Sequence, residues 1–224
     1  ILVSTDGGFN WRDVTSNVPG PTRYVSRLVS HPYDPNTIFI VRSGFGSGKL
    51  YRSNNLGSSW TNISADLPDI PCNDLFVDPL HPSHYYIATD LGVYLSTDAG
   101  ASWVRQGTGM PFVPAIDFDY FASGGTRLLR VGTHGRGAFE ASLTQNTTPL
   151  ISAAPVSKDF AKLEALAGRD TAMITVRNLG QSQLTVTAIS QSQQVYQLVD
   201  VPPLPANVAS MSSLAFKIVF APIV

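Results

Sequence analysis

Cysteine is almost absent. Cys72 stands alone in 224 residues, so no disulfide can form within the chain. Charge is scarce as well: 14% of residues are Asp, Glu, Lys or Arg, and the net charge of −1 leaves no basic field to recruit nucleic acid. Long apolar runs are missing. The longest, Leu214 to Val224, is interrupted by Lys217 and falls short of a bilayer span, so no membrane insertion is expected. Histidine is rare, and none of His31, His81, His84 and His134 stands in a His-x-x-x-His pair. The segment His81-Pro82-Ser83-His84 reads as a solvated hairpin turn, and no metal ligand is assigned. No Gly-x-Ser-x-Gly elbow, phosphate-binding loop or dinucleotide fingerprint occurs, and no cofactor is expected.

Turn formers and aromatics are present in quantity. The chain has 18 Gly and 16 Pro, suited to short strands joined by tight turns. One motif occurs three times: Ser4-Thr5-Asp6-Gly7-Gly8-Phe9-Asn10-Trp11, Ser53-Asn54-Asn55-Leu56-Gly57-Ser58-Ser59-Trp60 and Ser96-Thr97-Asp98-Ala99-Gly100-Ala101-Ser102-Trp103. Each reads Ser-x-Asp/Asn-x-Gly-x-x-Trp, and the 3 Trp of the chain all fall at its last position. Ser and Asp side chains cap local backbone N–H groups. Gly supplies a left-handed position. Trp then opens a strand and plugs the turn into a core. Asn55 replaces Asp without charge, which speaks for a structural knot. Ser4, Asp6, Gly8, Trp11, Ser53, Asn55, Gly57, Trp60, Ser96, Asp98, Gly100 and Trp103 are therefore read as structural.

The copies start 49 and then 43 residues apart, a period that suits four-stranded propeller blades. Between them, runs rich in β-branched and aromatic residues recur in register. First strands are expected near Ser26–Pro32, Asn73–Pro79 and Ala115–Tyr120, second strands near Thr37–Val41, Tyr85–Thr89 and Arg127–Thr133. Third strands follow near Lys49–Ser53, Gly92–Ser96 and Gly137–Ala141, and fourth strands begin at the Trp residues. The pattern resembles the Asp-box, or BNR repeat, of sialidases, sortilin-type receptors and xyloglucan-degrading glycosidases. There the motif marks the hairpin between the third and fourth strands of propeller blades. The resemblance implies an all-β chain in which residues 1–144 hold the end of one blade, two whole blades and most of another. Such rings need about four to eight blades. The start on Ile1, nearly at a motif turn, reads as a piece or mature tail of a longer protein whose remaining blades would be partners.

Gln145-Asn146-Thr147-Thr148-Pro149 opens a linker, taken as residues 145–153, and composition then shifts to Ala, Val, Ser and Gln. Thr171–Asn178 and Leu184–Ile189 alternate as strands, Asn178-Leu179-Gly180 is a turn, and Ala215–Pro222 is a further strand. Residues 154–224 resemble the immunoglobulin-like ASH and choice-of-anchor modules of large exported bacterial proteins. This implies a β-sandwich, cut short at its end, and a secreted or cell-surface location. Phe160, Leu163 and Leu166-Ala167 before Gly168 would also suit a short helix; strand is favoured. Asn62-Ile63-Ser64 and Asn146-Thr147-Thr148 are glycosylation sequons, meaningful only in a eukaryotic secretory pathway.

In a four-stranded blade the motif turns lie at one end, and the loops from strand two to three and from strand four to the next blade lie at the other, where resembling enzymes carry their sites. The second set comprises Arg42–Lys49, Asp90-Leu91 and His134–Gly137, beside 19–23, 67–73 and 109–112. Arg42, Phe45, Asp69, Asp90, Phe112, His134 and Arg136 are the candidate binding residues, able to stack on and hydrogen-bond a sugar or peptide. No catalytic residue is assigned. A glycosidase would need two carboxylates about 5–10 Å apart; Asp69, Asp74 and Asp90 could approach one another at that rim, although nothing in their spacing demands it. Arg23, Arg42 and Arg136 are sialidase-like by location alone, and Tyr24 lacks a Glu partner. The favoured function is a non-catalytic binding region of an exported sortilin-like protein, recognising glycan or protein through these loops. The alternative is the C-terminal part of a xyloglucanase-type glycoside hydrolase whose catalytic residues lie elsewhere.

Overall fold

The computed structural model describes residues 1–46, 48–123, 125–145, 147–156, 158, 160 and 169–221. The chain is almost wholly β and divides into two compact units, Ile1–Thr144 and Gln145–Val224.

The first unit opens with a hairpin of β1 (Leu2–Val3) and β2 (Arg12–Asp13). Then come β3 (Val25–Ser30), β4 (Ile38–Arg42), β5 (Leu50–Ser53) and β6 (Thr61–Asn62), an antiparallel meander of four strands. The meander repeats as β7 (Cys72–Val77), β8 (Tyr85–Thr89), β9 (Gly92–Ser96) and β10 (Val104–Arg105). A third sheet contains β11 (Ala115–Ser123), β12 (Thr126–Thr133) and β13 (Ala138–Ser142). The first strands β3, β7 and β11 are neighbours, so successive sheets stand face to face around their inner strands, as propeller blades do. Second strands are the most buried. Every residue of β4 is inside, which accounts for its unbroken run Ile38-Phe39-Ile40-Val41. Phe39, Val41 and Leu50 of one sheet meet Leu75, Tyr85 and Ile87 of the next in a shared core. The Phe39 and Tyr85 rings meet edge to face with centroids 5.2 Å apart.

The three motif turns share one hydrogen-bond pattern. The serine hydroxyl donates to Oδ1 of the third residue, at 2.8 Å from Ser4, 2.9 Å from Ser53 and 2.7 Å from Ser96. The serine Oγ in turn accepts the N–H of Gly8, Gly57 or Gly100 at 2.7–2.8 Å. Oδ1 of Asp6, Asn55 and Asp98 accepts the N–H of Asn10, Ser59 and Ser102 at 2.9 Å. The Asn55 amide donates to Ser59 Oγ, whereas the Asp98 carboxylate accepts from Ser102 Oγ. Both side-chain types thus close the same turn. The three capping bonds from Ser102 and Ser96, led by the Ser102 hydroxyl, lower Asp98 to a pKa of about 2.

Two consecutive residues of each turn are left-handed: Gly7 and Gly8, Leu56 and Gly57, Ala99 and Gly100. The second must be glycine for a further reason. A Cβ on Gly57 would lie 2.7 Å from Val14 Cγ2, and one on Gly100 would lie 2.8 Å from Ile63 Cβ. Val14 and Ile63 each stand three residues beyond the Trp of the preceding copy, so the second and third turns are each pressed against the end of the previous sheet. Trp60 and Trp103 are buried between sheets as expected, and Trp103 Nε1 donates to Ile63 O at 3.1 Å. Trp11 is a correction. It is 61% exposed and donates to Gly8 O within its own turn. Among the described residues no earlier sheet stands against it.

The second unit holds β14 (Ile151–Ala154), β15 (Asp170–Asn178), β16 (Leu184–Val186), β17 (Tyr196–Val199), β18 (Ala206–Val208) and β19 (Ser213–Phe220). One sheet has the order β14-β15-β19-β17, and β16 pairs with β18. Val176, Val186, Val208 and Phe216 join the two layers in one core. Strand β14 begins inside the segment read as a linker, and the helix-or-strand question at Leu163 and Leu166-Ala167 lies outside the described residues. Asn178 is fully buried: its amide donates to Ser182, Val208 and Ala209 carbonyls, and its oxygen accepts from Gly180 N–H.

The contrast between the tryptophans is testable. Trp103→Ala is expected to cost about 3–5 kcal/mol in urea unfolding, as a buried aromatic does, and Trp11→Ala about 1 kcal/mol or less. Equal losses would contradict the packing described.

Candidate functional site

Because each sheet is a meander, the loops β2–β3, β4–β5, β6–β7, β8–β9, β10–β11 and β12–β13 all emerge at the end away from the motif turns. A recurring bond fixes them. Ser43 N–H donates to Tyr24 O, Asp90 N–H to Pro71 O and His134 N–H to Pro114 O, at 3.1, 3.2 and 2.9 Å. At this end the first strands also carry the same register break, between Val25 and Arg27, Cys72 and Asp74, and Ala115 and Asp117. The residues it frees bridge sheets: Ser26 Oγ donates to Cys72 O and Asn73 Nδ2 to Ala115 O, both at 2.8 Å.

The best-formed group of candidate residues lies on the 42–49 loop. The Lys49 side chain is buried, and its ammonium meets Asp69 Oδ1 at 2.8 Å and Gly44 O. Gly46 N–H donates to the same carboxylate oxygen at 2.5 Å. These bonds, Lys49 first and Gly46 second, hold the Asp69 carboxyl below the usual range. Phe45 is 65% exposed, with the Lys49 ammonium 5.9 Å from its ring centroid. Tyr24, tied to this loop through Ser43, is also exposed. Arg23 lies over the loop glycines: a Cβ on Gly46 would come within 2.5 Å of its Nη2. A cleft of about 510 Å³ opens beside the group, lined by Gly46, Gly48, Lys49, Asn62, Ser64, Ala65, Leu67 and Asp69.

Other expected residues are placed differently. Arg42 is buried, donates to Pro19 O at 3.0 Å and stacks on Tyr51; it braces the loop from beneath and offers no head group to solvent. Asp90 accepts from Asn73 at 3.1 Å. Asp74 is buried and bound to Arg27 at 2.9 Å and to Phe118 N–H at 2.7 Å, so it joins sheets; burial raises its pKa against those bonds. The three rim carboxylates are thus each engaged with a different partner. Phe112 is exposed under the Arg105 guanidinium, 4.2 Å from the ring centroid, and Arg105 is fixed by Leu91, Met110 and Pro111 carbonyls. His134 and Arg136 are exposed. Sequence reasoning missed Lys49 and Arg105 as partners of the two aromatics. The cation that closes a glycine-rich loop, and the cation two residues after a motif Trp, were the available signals.

Two features lie apart from this group. An apolar cavity of about 330 Å³ runs between the second and third sheets, walled by Tyr86, Met110, Phe118 and Phe139 among others. At the motif end the His81–His84 turn, expected to be solvated, is partly buried with its two rings stacked.

No protein-family model and no curated protein matches the chain. Among solved structures it is similar to an ancestral GH74 enzyme, with 15% identity and a TM-score of 0.42 over 79% of this chain and 26% of that one. The GH74 xyloglucanase from Xanthomonas campestris gives 15% identity and a TM-score of 0.38, covering 67% of this chain and 26% of that one. The chain therefore spans about a quarter of the length of those enzymes.

Cys72 supplies no nucleophile to the loops. It is fully buried, and burial pushes its thiol up to about 12. In the folded protein it is expected to resist a thiol-reactive dye at pH 8 and to react fully in urea. Labelling at equal rates in both states would contradict its burial.

Proposed function

We propose that the loop end of the first unit is a non-catalytic recognition surface for a glycan, centred on Phe45 and the Lys49–Asp69 pair. The observation that carries this reading is an aromatic ring held out in water directly beside a fixed, exposed acceptor, the Asp69 carboxylate. A ring face covers the apolar face of a sugar, and a neighbouring carboxylate, held in place by a buried lysine, accepts from its hydroxyls. Phe45 and Tyr24 both cost solvation where they stand, and a ligand that covers them would recover it. Asp69 is suited to accepting hydrogen bonds and unsuited to the role of a general acid. A general acid has to keep its proton near neutral pH, whereas Lys49 and Gly46 hold Asp69 ionised. On this reading the repeated motif is the Asp-box of sortilin-like proteins, the second unit is an immunoglobulin-like spacer, and the whole belongs to an exported protein.

Titration calorimetry with neutral β-glucan and xyloglucan oligosaccharides tests the reading. The intact chain is expected to bind at least one of them saturably. Phe45→Ala should weaken binding roughly tenfold, equivalent to about 1.4 kcal/mol, and Lys49→Met should weaken it without unfolding the chain. Absence of binding at millimolar sugar, or unchanged affinity in Phe45→Ala, would overturn glycan recognition at this site.

A further inference from the structure

The segment between β7 and β8 brings three metal-binding side chains together at the end opposite the proposed recognition loops. It reads Asp78-Pro79-Leu80-His81-Pro82-Ser83-His84. The three residues are the nodes of a single backbone knot. Asp78 N–H donates to His84 O at 3.0 Å, His81 N–H to Asp78 O at 3.2 Å, and His84 N–H to His81 O at 2.7 Å. Spacing of three residues twice over therefore returns each side chain to the same place. Pro79 and Pro82 fix two of the intervening φ angles, so less freedom is lost when the knot forms.

The side chains are oriented as well as gathered. Asp78 is 1% exposed, and its Oδ1 accepts from Leu80 N–H at 2.8 Å and from Arg127 Nη2. This leaves Oδ2 turned toward His81 Nδ1, 3.0 Å away. The His81 and His84 rings lie nearly parallel, 15° apart, with centroids separated by 4.7 Å. One ligand atom from each of Asp78, His81 and His84 falls within 4.8 Å of the others. Arg127 is held independently by Tyr120 Oη and Thr144 O, so it acts as a fixed brace on the outer oxygen of the carboxylate.

We propose that Asp78, His81 and His84 form a binding site for a divalent transition-metal ion of the zinc type. One carboxylate oxygen and two imidazole nitrogens make a mixed set that suits zinc, with a fourth position left for water. A hard ion such as calcium takes oxygen ligands in greater number, which this set does not supply. Bond lengths of about 2.0–2.2 Å require the three groups to draw inward, a movement open to His81 and His84 because both are only partly buried. The carboxylate that hydrogen-bonds Arg127 on one oxygen and the metal on the other has the second partner that metal ligands ordinarily have. The Arg127 charge weakens binding and sets its affinity below that of an uncharged shell. Bound metal would stiffen the junction of the second and third sheets. The knot also reaches the third motif turn, since Ala99 N–H donates to Ser83 O at 2.9 Å.

The test uses the whole chain, stripped with a chelator and titrated with zinc chloride by calorimetry, then with cobalt chloride by visible absorption. One saturable zinc site per chain is expected, with a cobalt spectrum of low coordination number and a zinc-dependent rise in melting temperature. His84→Ala and His81→Ala should each weaken zinc binding more than about tenfold and abolish the rise. His84→Asn keeps a polar group of similar size and separates ligand loss from misfolding, with near-ultraviolet circular dichroism reporting the fold. Calcium at the same concentration should shift nothing. No saturable binding at millimolar zinc overturns the proposal, and so does wild-type affinity in both folded histidine variants.

Discussion

A serine hydroxyl that gives its proton to one group and takes one from another holds this structure together. In each motif turn it donates to the Asp or Asn oxygen two residues on and accepts the glycine N–H four residues on. That pair of bonds forces two left-handed residues in succession. The turn so formed is compact enough for a glycine to sit against Val14 or Ile63 of the sheet before it. Capping and packing are therefore one device. The local bond shapes the turn, the turn presents a bare Cα, and the bare Cα lets two sheets close on each other. The buried Trp of the same motif then fills the space that closure creates.

This device divides the first unit into two ends with different chemistry. At the motif end, the Ser, Asp and Asn side chains of each turn are satisfied by neighbours in the same turn, and the histidine knot beside Asp78 belongs to the same tight architecture. At the other end, the sheets are joined by Ser26 and Asn73 reaching from one first strand to the next. The loops above them are free to carry groups that the fold does not need. Phe45, Tyr24 and Phe112 are exposed there; buried Arg42 and Lys49 support the 42–49 loop from below, and Arg105 packs on Phe112. A scaffold closed at one end can hold exposed aromatics at the other without unfolding around them.

Much of this was legible in the sequence. The motif period located the sheets, and β8 and β9 fall on the expected residues to the letter. Asn55 in place of Asp marked the turn as structural, and the shared hydrogen-bond pattern explains why. Other features depend on partners far along the chain. Arg42 has the composition of a loop cation, yet Pro19 and Tyr51 draw it inward. Asp74 has the composition of a rim acid, yet Arg27 and Phe118 N–H claim it. Leu56 and Ala99 adopt positive φ because the serine cap imposes it, not because their own type favours it. In the second unit, β14, β17 and β18 are short and lack clear alternation, and pairing alone defines them. His81 and His84 were read as solvated because sequence spacing does not show a ring stack beneath a neighbouring sheet.

Native-state hydrogen exchange at three glycine amides tests the central claim most directly. The amides of Gly8, Gly57 and Gly100 accept the same protection from a serine oxygen, but only the last two are pressed against another sheet. If the turns lock the sheets together, Gly57 and Gly100 will exchange only on global unfolding, with protection that follows urea stability, while Gly8 exchanges by local fraying. Exchange of all three at the rate of exposed turns would show that the serine cap shapes the loops without joining the sheets.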